Sequence, residues 1–145
     1  MKERRKTMNK NRENAIQYFI YPNSGVVVAK LSNLKEENIN LVEKLTGISS
    51  WADWSFEEYR KTIDLFKDSY TGISKCAEGD KFDEVFGMEL AKNRLLTKVN
   101  QMRANLVMRV YKKMDEKLDD MERYIHYYTS HSTEYANREA DMLNN

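Results

Sequence analysis

The chain reads as an α+β protein, predominantly helical, in which a small N-terminal antiparallel β-sheet (a hairpin plus a third strand) packs on a long C-terminal amphipathic helix. Three observations predict this. Two runs of β-branched and aromatic residues flank a Pro-Asn-Ser-Gly turn near the N-terminus. Apolar residues recur at steps of three or four between residues 88 and 128. The composition, 41% apolar and 32% charged with one proline in 145 residues, is that of a folded, helix-rich chain rather than a disordered one.

Residues 1–12 hold Lys2, Arg4, Arg5, Lys6, Lys10 and Arg12 and read as a basic flexible tail ahead of a single α+β domain at 13–145. The same charges can instead touch phosphate, which leaves nucleic acid as a partner through the tail, although a net charge of +1 supplies no overall field for it. Residues 15–21 and 26–31 form the hairpin, and residues 22–25 supply its turn chemistry. Asn33 with Glu36 three residues later marks a helix start; Ile39, Val42 and Leu45 make its apolar stripe, and Gly47 its stop. Ser55 with Glu58 marks a second helix carrying Tyr59, Ile63 and Phe66 as far as Asp68. Just before it, Trp51, Trp54 and Phe56 read as a small packed core, with a stacking platform for a base as the alternative. Residues 70–77 form the third strand, with Gly72 at a bulge, and Glu78, Gly79 and Asp80 turn the chain.

Between residues 83 and 128 there is no proline and a single glycine, Gly87. At a rise of 1.5 Å per residue such a helix runs roughly 65 to 70 Å, longer than a domain of this size can cover. Doubled positions at Leu95-Leu96, Leu106-Val107 and Val110-Tyr111 make a wide face suited to a sheet. From about residue 112 the stripe narrows to Met114, Leu118, Met121 and Ile125 among mixed charges, the pattern of a coiled-coil seam. The second half is therefore expected to form an antiparallel hairpin or to associate with another copy as a homo-oligomer. Residues 129–133 interrupt the pattern, and Thr133 is placed to cap a last helix.

Catalytic signatures are missing. The chain has no Gly-x-Gly-x-x-Gly, no phosphate-binding Gly-Lys-Ser/Thr loop, no Gly-x-Ser-x-Gly elbow and no His-Glu-x-x-His. With Cys76 as the sole cysteine, no intramolecular disulfide forms. His126, His131 and Glu122 can be drawn as a metal set, but a five-residue spacing does not put both imidazoles on one helix face. Cys76 reads as a small buried residue rather than a nucleophile. The expectation is a protein that is not an enzyme, with no catalytic residues, metal or cofactor, no membrane span and a cytoplasmic location.

One constellation resists that bland reading. Residues 76–94 combine Cys76, Asp80, Phe82, Gly87, Ala91 and Arg94, with Asp80 placed to cap the long helix and Phe82 to staple its start. Helix-start amides beside an aromatic ring, followed by Asn93, Arg94, Arg103 and Arg109, could receive a base and its phosphates. The string from Thr71 to Asp83, continued by Gly87, Ala91 and Arg94, resembles a strand, Cys-x-x-x-Asp-x-Phe turn and helix pattern of small bacteriophage proteins. Among these it is similar to the phage Thoeris anti-defence sponges, covering about a sixth of the chain. The resemblance implies an oligomeric, non-catalytic protein in the host cytoplasm that sequesters cyclic ADP-ribose-type signals. It also implies that Phe82 stacks on the adenine and that some of Asn93, Arg94, Arg103 and Arg109 hold the pyrophosphate. The alternative function is a phage regulatory or host-takeover protein that binds nucleic acid or a host protein through its tail and long helix.

Overall fold

The computed structural model describes residues 15–51 and 54–145, and the backbone alone of residues 5–8. Four strands, β1 (Arg5–Met8), β2 (Gln17–Tyr21), β3 (Val26–Leu31) and β4 (Tyr70–Lys75), form one sheet in the order β1-β2-β3-β4. Every pairing is antiparallel. Between β3 and β4 the chain inserts α1 (Leu34–Thr46), a 3-10 turn (Trp54–Phe56) and α2 (Glu57–Ile63), and after β4 it enters α3 (Glu84–Asn144). The sheet packs on the long helix, as the two periodicities require.

The period of two along the strands explains the packing. Tyr18 and Ile20 on β2 and Val27, Ala29 and Leu31 on β3 are buried on one face, where they join Ala91, Leu95, Val99 and Met102 of α3 in one core. β4 faces that helix with Gly72 and Ser74. Gly72 pairs regularly with Ala29, so there is no bulge. A Cβ at Gly72 would run into Ala91 O and Leu95 N and stand 2.9 Å from Leu95 Cα, so the glycine lets the helix backbone lie directly on the strand.

The hairpin turn forms as its residues predict, with Ser24 N–H donating to Tyr21 O at 3.2 Å and Gly25 at φ 64°. Arg5–Met8, inside the stretch read as a basic tail, pairs with β2 from Arg5↔Ile20 to Met8↔Gln17. The rest of the tail reading lies outside the described residues.

Helix α1 ends at Gly47 as expected, with φ 72° and its N–H donating to Glu43 O at 2.8 Å. Its start is built differently from the expected capping box. Asn33 sits at φ 59° without a side-chain cap bond, and Asp68 supplies the acceptors: Leu34 N–H donates to its carbonyl at 3.0 Å and Lys35 N–H to its Oδ1 at 2.9 Å. The buried face is also turned from the expected stripe, running through Leu34, Asn38 and Val42, while Leu45 is exposed. Asn38 Nδ2 contacts Met102 Sδ of α3 at 3.3 Å, and its Oδ1 is buried without a hydrogen-bond partner. Helix α2 is shorter than its apolar pattern suggests, running from Glu57 to Ile63 with Phe56 at its N-cap position.

Helix α3 runs unbroken through residues 129–133, so neither the expected interruption nor a fold-back occurs. The polar residues there satisfy themselves along the helix: Thr133 Oγ1 donates to Thr129 O at 3.1 Å, and His131 Nδ1 lies 2.9 Å from Tyr127 O. The chain divides into two compact units, Met1–Val107 and Met108–Asn145. The first holds the sheet, α1, α2 and the start of α3 around a core. The second is helix alone, with Tyr111, Leu118, Met121, Ile125 and Tyr128 exposed. No helix among the described residues is long and apolar enough to cross a membrane.

Candidate functional site

A cleft of about 270 Å³ lies where β4 ends and α3 begins. Its walls come from three places: Gly25 in the hairpin turn, Ser74 to Ala77 at the end of β4, and Asp80 to Leu90 around the helix start. Cys76 N–H donates to Gly25 O at 2.8 Å, carrying the ladder one residue past the strand, and a Cβ at Gly25 would stand 2.7 Å from Cys76 Cβ. Asp80 N–H closes a turn onto Ala77 O at 3.0 Å.

Asp83, not Asp80, caps α3. Its Oδ1 accepts from Phe86 N–H at 3.1 Å, and its carbonyl accepts the first helical bond, from Gly87 N–H, at 2.9 Å. Ser74 Oγ in turn donates to Gly87 O at 2.8 Å, and a Cβ at Gly87 would stand 2.9 Å from Val27 Cγ2. The glycine therefore admits side chains of the sheet. Phe82 is half-buried against the core, as a staple should be, and lines the cleft as well; Phe86 lines it while 65% exposed.

The cleft's charges balance, with Lys75 and Lys81 against Asp80 and Asp83. The helix-start amide of Phe86 already serves a carboxylate. The cleft thus suits an apolar ring with a polar edge better than a bare phosphate. Its volume lies just below the roughly 300–1,000 Å³ typical of drug-sized ligands, enough for a ring system and not for a whole dinucleotide.

The sequence-predicted residues separate. Asn93 and Arg94 line a second groove of about 400 Å³ with Ile73, Thr97 and Lys98. There Arg94 Nη1 donates to Ile73 O at 2.6 Å and Lys98 Nζ to Thr71 O at 2.8 Å. Because β4 is the last strand of the sheet, these two cations cover carbonyls on an edge that would otherwise invite another strand. Arg103 is engaged elsewhere, in an ion pair with Glu37 of α1, its side chain mostly buried. Arg109 belongs to the second unit, where it is exposed. Phe82 stands in the cleft without any of the other four among the residues that line it.

Two residues with reach were misjudged from sequence. Trp51 and Trp54 are 95% and 87% exposed, and of the expected aromatic core only Phe56 is buried, its ring 6.2 Å from that of Tyr59. Phe56 occupies the buried place, and Trp54, on the same 3-10 turn, keeps its indole in solvent. Lys98 was passed over; its signal was a position one turn beyond Arg94. Cys76 is half-buried, its Sγ 3.5 Å from Asp80 O. Among the described residues no three His, Cys, Asp or Glu side chains are grouped to hold a metal ion. Comparison with protein-family models, with curated proteins and with solved structures finds no match.

Proposed function

We propose that this chain is a non-catalytic binding protein that holds the ring of a nucleotide-type signal in the Phe82 cleft and its phosphates at Arg94 and Lys98. In its specific form the reading is a phage counter-defence protein that sequesters cyclic ADP-ribose-type signals in the host cytoplasm. One observation supports it above the others. Phe86, Leu90, Arg94 and Lys98 follow at steps of four on one helix, so an aromatic cleft and a cationic groove are successive turns of one helix face. Leu90 of the cleft and Arg94 of the groove are one step apart, roughly 6 Å of rise, and Phe86 and Lys98 three steps, roughly 18 Å, so a ring held toward Leu90 brings its phosphates within reach of Arg94 first. Arg94 and Lys98 would exchange strand carbonyls for phosphate oxygens, a gain in charge-assisted hydrogen bonding. Lys98 takes the part that the resemblance gave to Arg103, whose guanidinium is committed to Glu37.

The test is isothermal titration of the full chain with cyclic ADP-ribose isomers and cyclic oligonucleotides. Saturable binding without turnover is expected, weakened at least about tenfold by Arg94→Gln, which removes about 1.4 kcal/mol or more. Phe86→Ala should weaken it too, and because Phe86 is exposed the fold should survive. Binding of none of these ligands, or their conversion, rejects the proposal.

A second reading, capture of a host protein, is favoured by the exposure of Trp51 and Trp54, since aromatic residues of this kind anchor interfaces. Nucleic-acid binding through residues 1–12 is separated from both by changing Lys2, Arg4, Lys10 and Arg12, which lie outside β1, to Gln; this should weaken salt-dependent duplex affinity and leave signal binding untouched.

A further inference from the structure

The apolar stripe of α3 changes period along its length. From Met88 through Ala91, Leu95, Val99 and Met102 to Leu106, five steps cover 18 residues, the 3.6-residue turn of a straight helix, and this stripe packs in the core of the first unit or is buried. From Met114 to Met142, nine positions alternate by four and three over 28 residues, a period of 3.5; seven of them are apolar, and Ser132 and Glu139 hold the other two. This second stripe lies open: Leu118, Met121, Ile125 and Tyr128 are each more than half exposed.

A period of 3.5 has a physical meaning that 3.6 lacks. On a straight helix a seven-residue repeat drifts by about 20° per heptad, so over four heptads the stripe would wander through roughly 80°. Only a left-handed supercoil keeps it on one seam, and a supercoil needs a second helix. The unbroken course of α3 means that this helix does not come from a fold-back within the chain.

The charges beside the seam select the occupant. With Leu118 and Ile125 at a and Met114, Met121 and Tyr128 at d, the e positions hold Asp115 and Glu122 and the g positions Lys117 and Arg138. In a parallel pair g faces the e position five residues on in the other strand, so Lys117 meets Glu122 twice. In an antiparallel pair over the same residues e faces e and g faces g, which sets Lys117 against Arg138, leaves Glu122 opposite Thr129 and Asp115 opposite Ala136, and forms no pair of opposite charges. The apolar a and d residues from Tyr111 to Met142 expose roughly 100 Å² apiece, which comes to roughly 800 Å² per copy, the per-partner area of a stable interface. We infer that residues 111–142 form a parallel, in-register, two-stranded coiled coil with a second copy of this chain, whatever the cleft binds. Ser132 and Glu139 at a positions make its C-terminal end the weaker part.

Sedimentation equilibrium of the full chain should give twice the 17.2 kDa chain mass at micromolar concentration. Ile125→Asp should return it to one chain with the helix signal of the first unit retained. Lys117→Glu or Glu122→Lys should each weaken the dimer several-fold and the double exchange should restore it. On a Cys76→Ser background, Met114→Cys should cross-link to itself on mild oxidation. A single-chain mass at the highest concentration, or a mass of three or more chains, overturns the inference. So does cross-linking of Met114→Cys to Tyr135→Cys with none between copies of Met114→Cys, which marks an antiparallel pair.

Discussion

The two halves of α3 both carry an apolar stripe and are opposite in fate. Leu95 and Leu118 stand on stripes of the same helix, yet the first is fully buried and the second 56% exposed. The first half has a sheet to lie on: Gly72 gives up its side chain so that the helix can approach, and Ala29, Val27 and Tyr18 fill the interface. Within its own unit the second half has only itself. Amphipathicity alone therefore identifies a helix and not what covers it; the period of the stripe carries that information, 3.6 where the cover is a sheet of the same chain and 3.5 where another helix must wind around it.

Leu95→Ala should break this contrast most sharply, removing about 2–5 kcal/mol of stability through the cavity it leaves, as read by urea denaturation of the first unit's tertiary signal. Gly72→Ala should follow, costing about 1–3 kcal/mol because the new methyl meets helix backbone, which cannot rotate aside. If Gly72→Ala is neutral, the helix does not lie on β4 as closely as described. Asp68→Ala should cost about 0.5–2 kcal/mol, since Lys35 N–H loses its acceptor while the Leu34 bond to the backbone carbonyl remains. At concentrations too low for association, Leu118→Ala should change the stability of the first unit by less than about 0.5 kcal/mol, because an exposed side chain loses no packing. A large effect there in dilute solution would erase the distinction between the halves.

Much of the fold was legible because it rests on local rules. The hairpin announced itself by alternation and by Gly25 at the turn, and α1 by Gly47 at its end. The failures share a cause. Asp83 displaced Asp80 as the cap because the chain first turns through residues 77–80 and the helix starts only at Glu84, which puts Asp83 next to its free N–H groups. Asp68 displaced the expected box at α1 because a residue 35 positions away came to lie at the helix start. The candidate site was half legible: the Cys76 to Gly87 segment does enclose a cleft, whereas Arg103 was drawn off by Glu37 across 66 residues of chain. Nothing local distinguishes an arginine that will meet a ligand from one that will meet another helix.

By itself, then, the sequence determined the hairpin strands, β4, the two short helices, the long helix and the change of spacing along it, since these follow from side-chain spacing along a backbone of known geometry. By contrast, β1 and the unbroken run of the long helix past residue 128 came from the structure. Only the tertiary structure decided that Trp51 and Trp54 remain in solvent, that Arg94 and Lys98 guard the edge of β4, and that Phe82 shares its cleft with Phe86. Those outcomes are competitions between groups far apart in the chain for the same partner or the same space, and their result is set by which surfaces meet when the sheet closes on the helix.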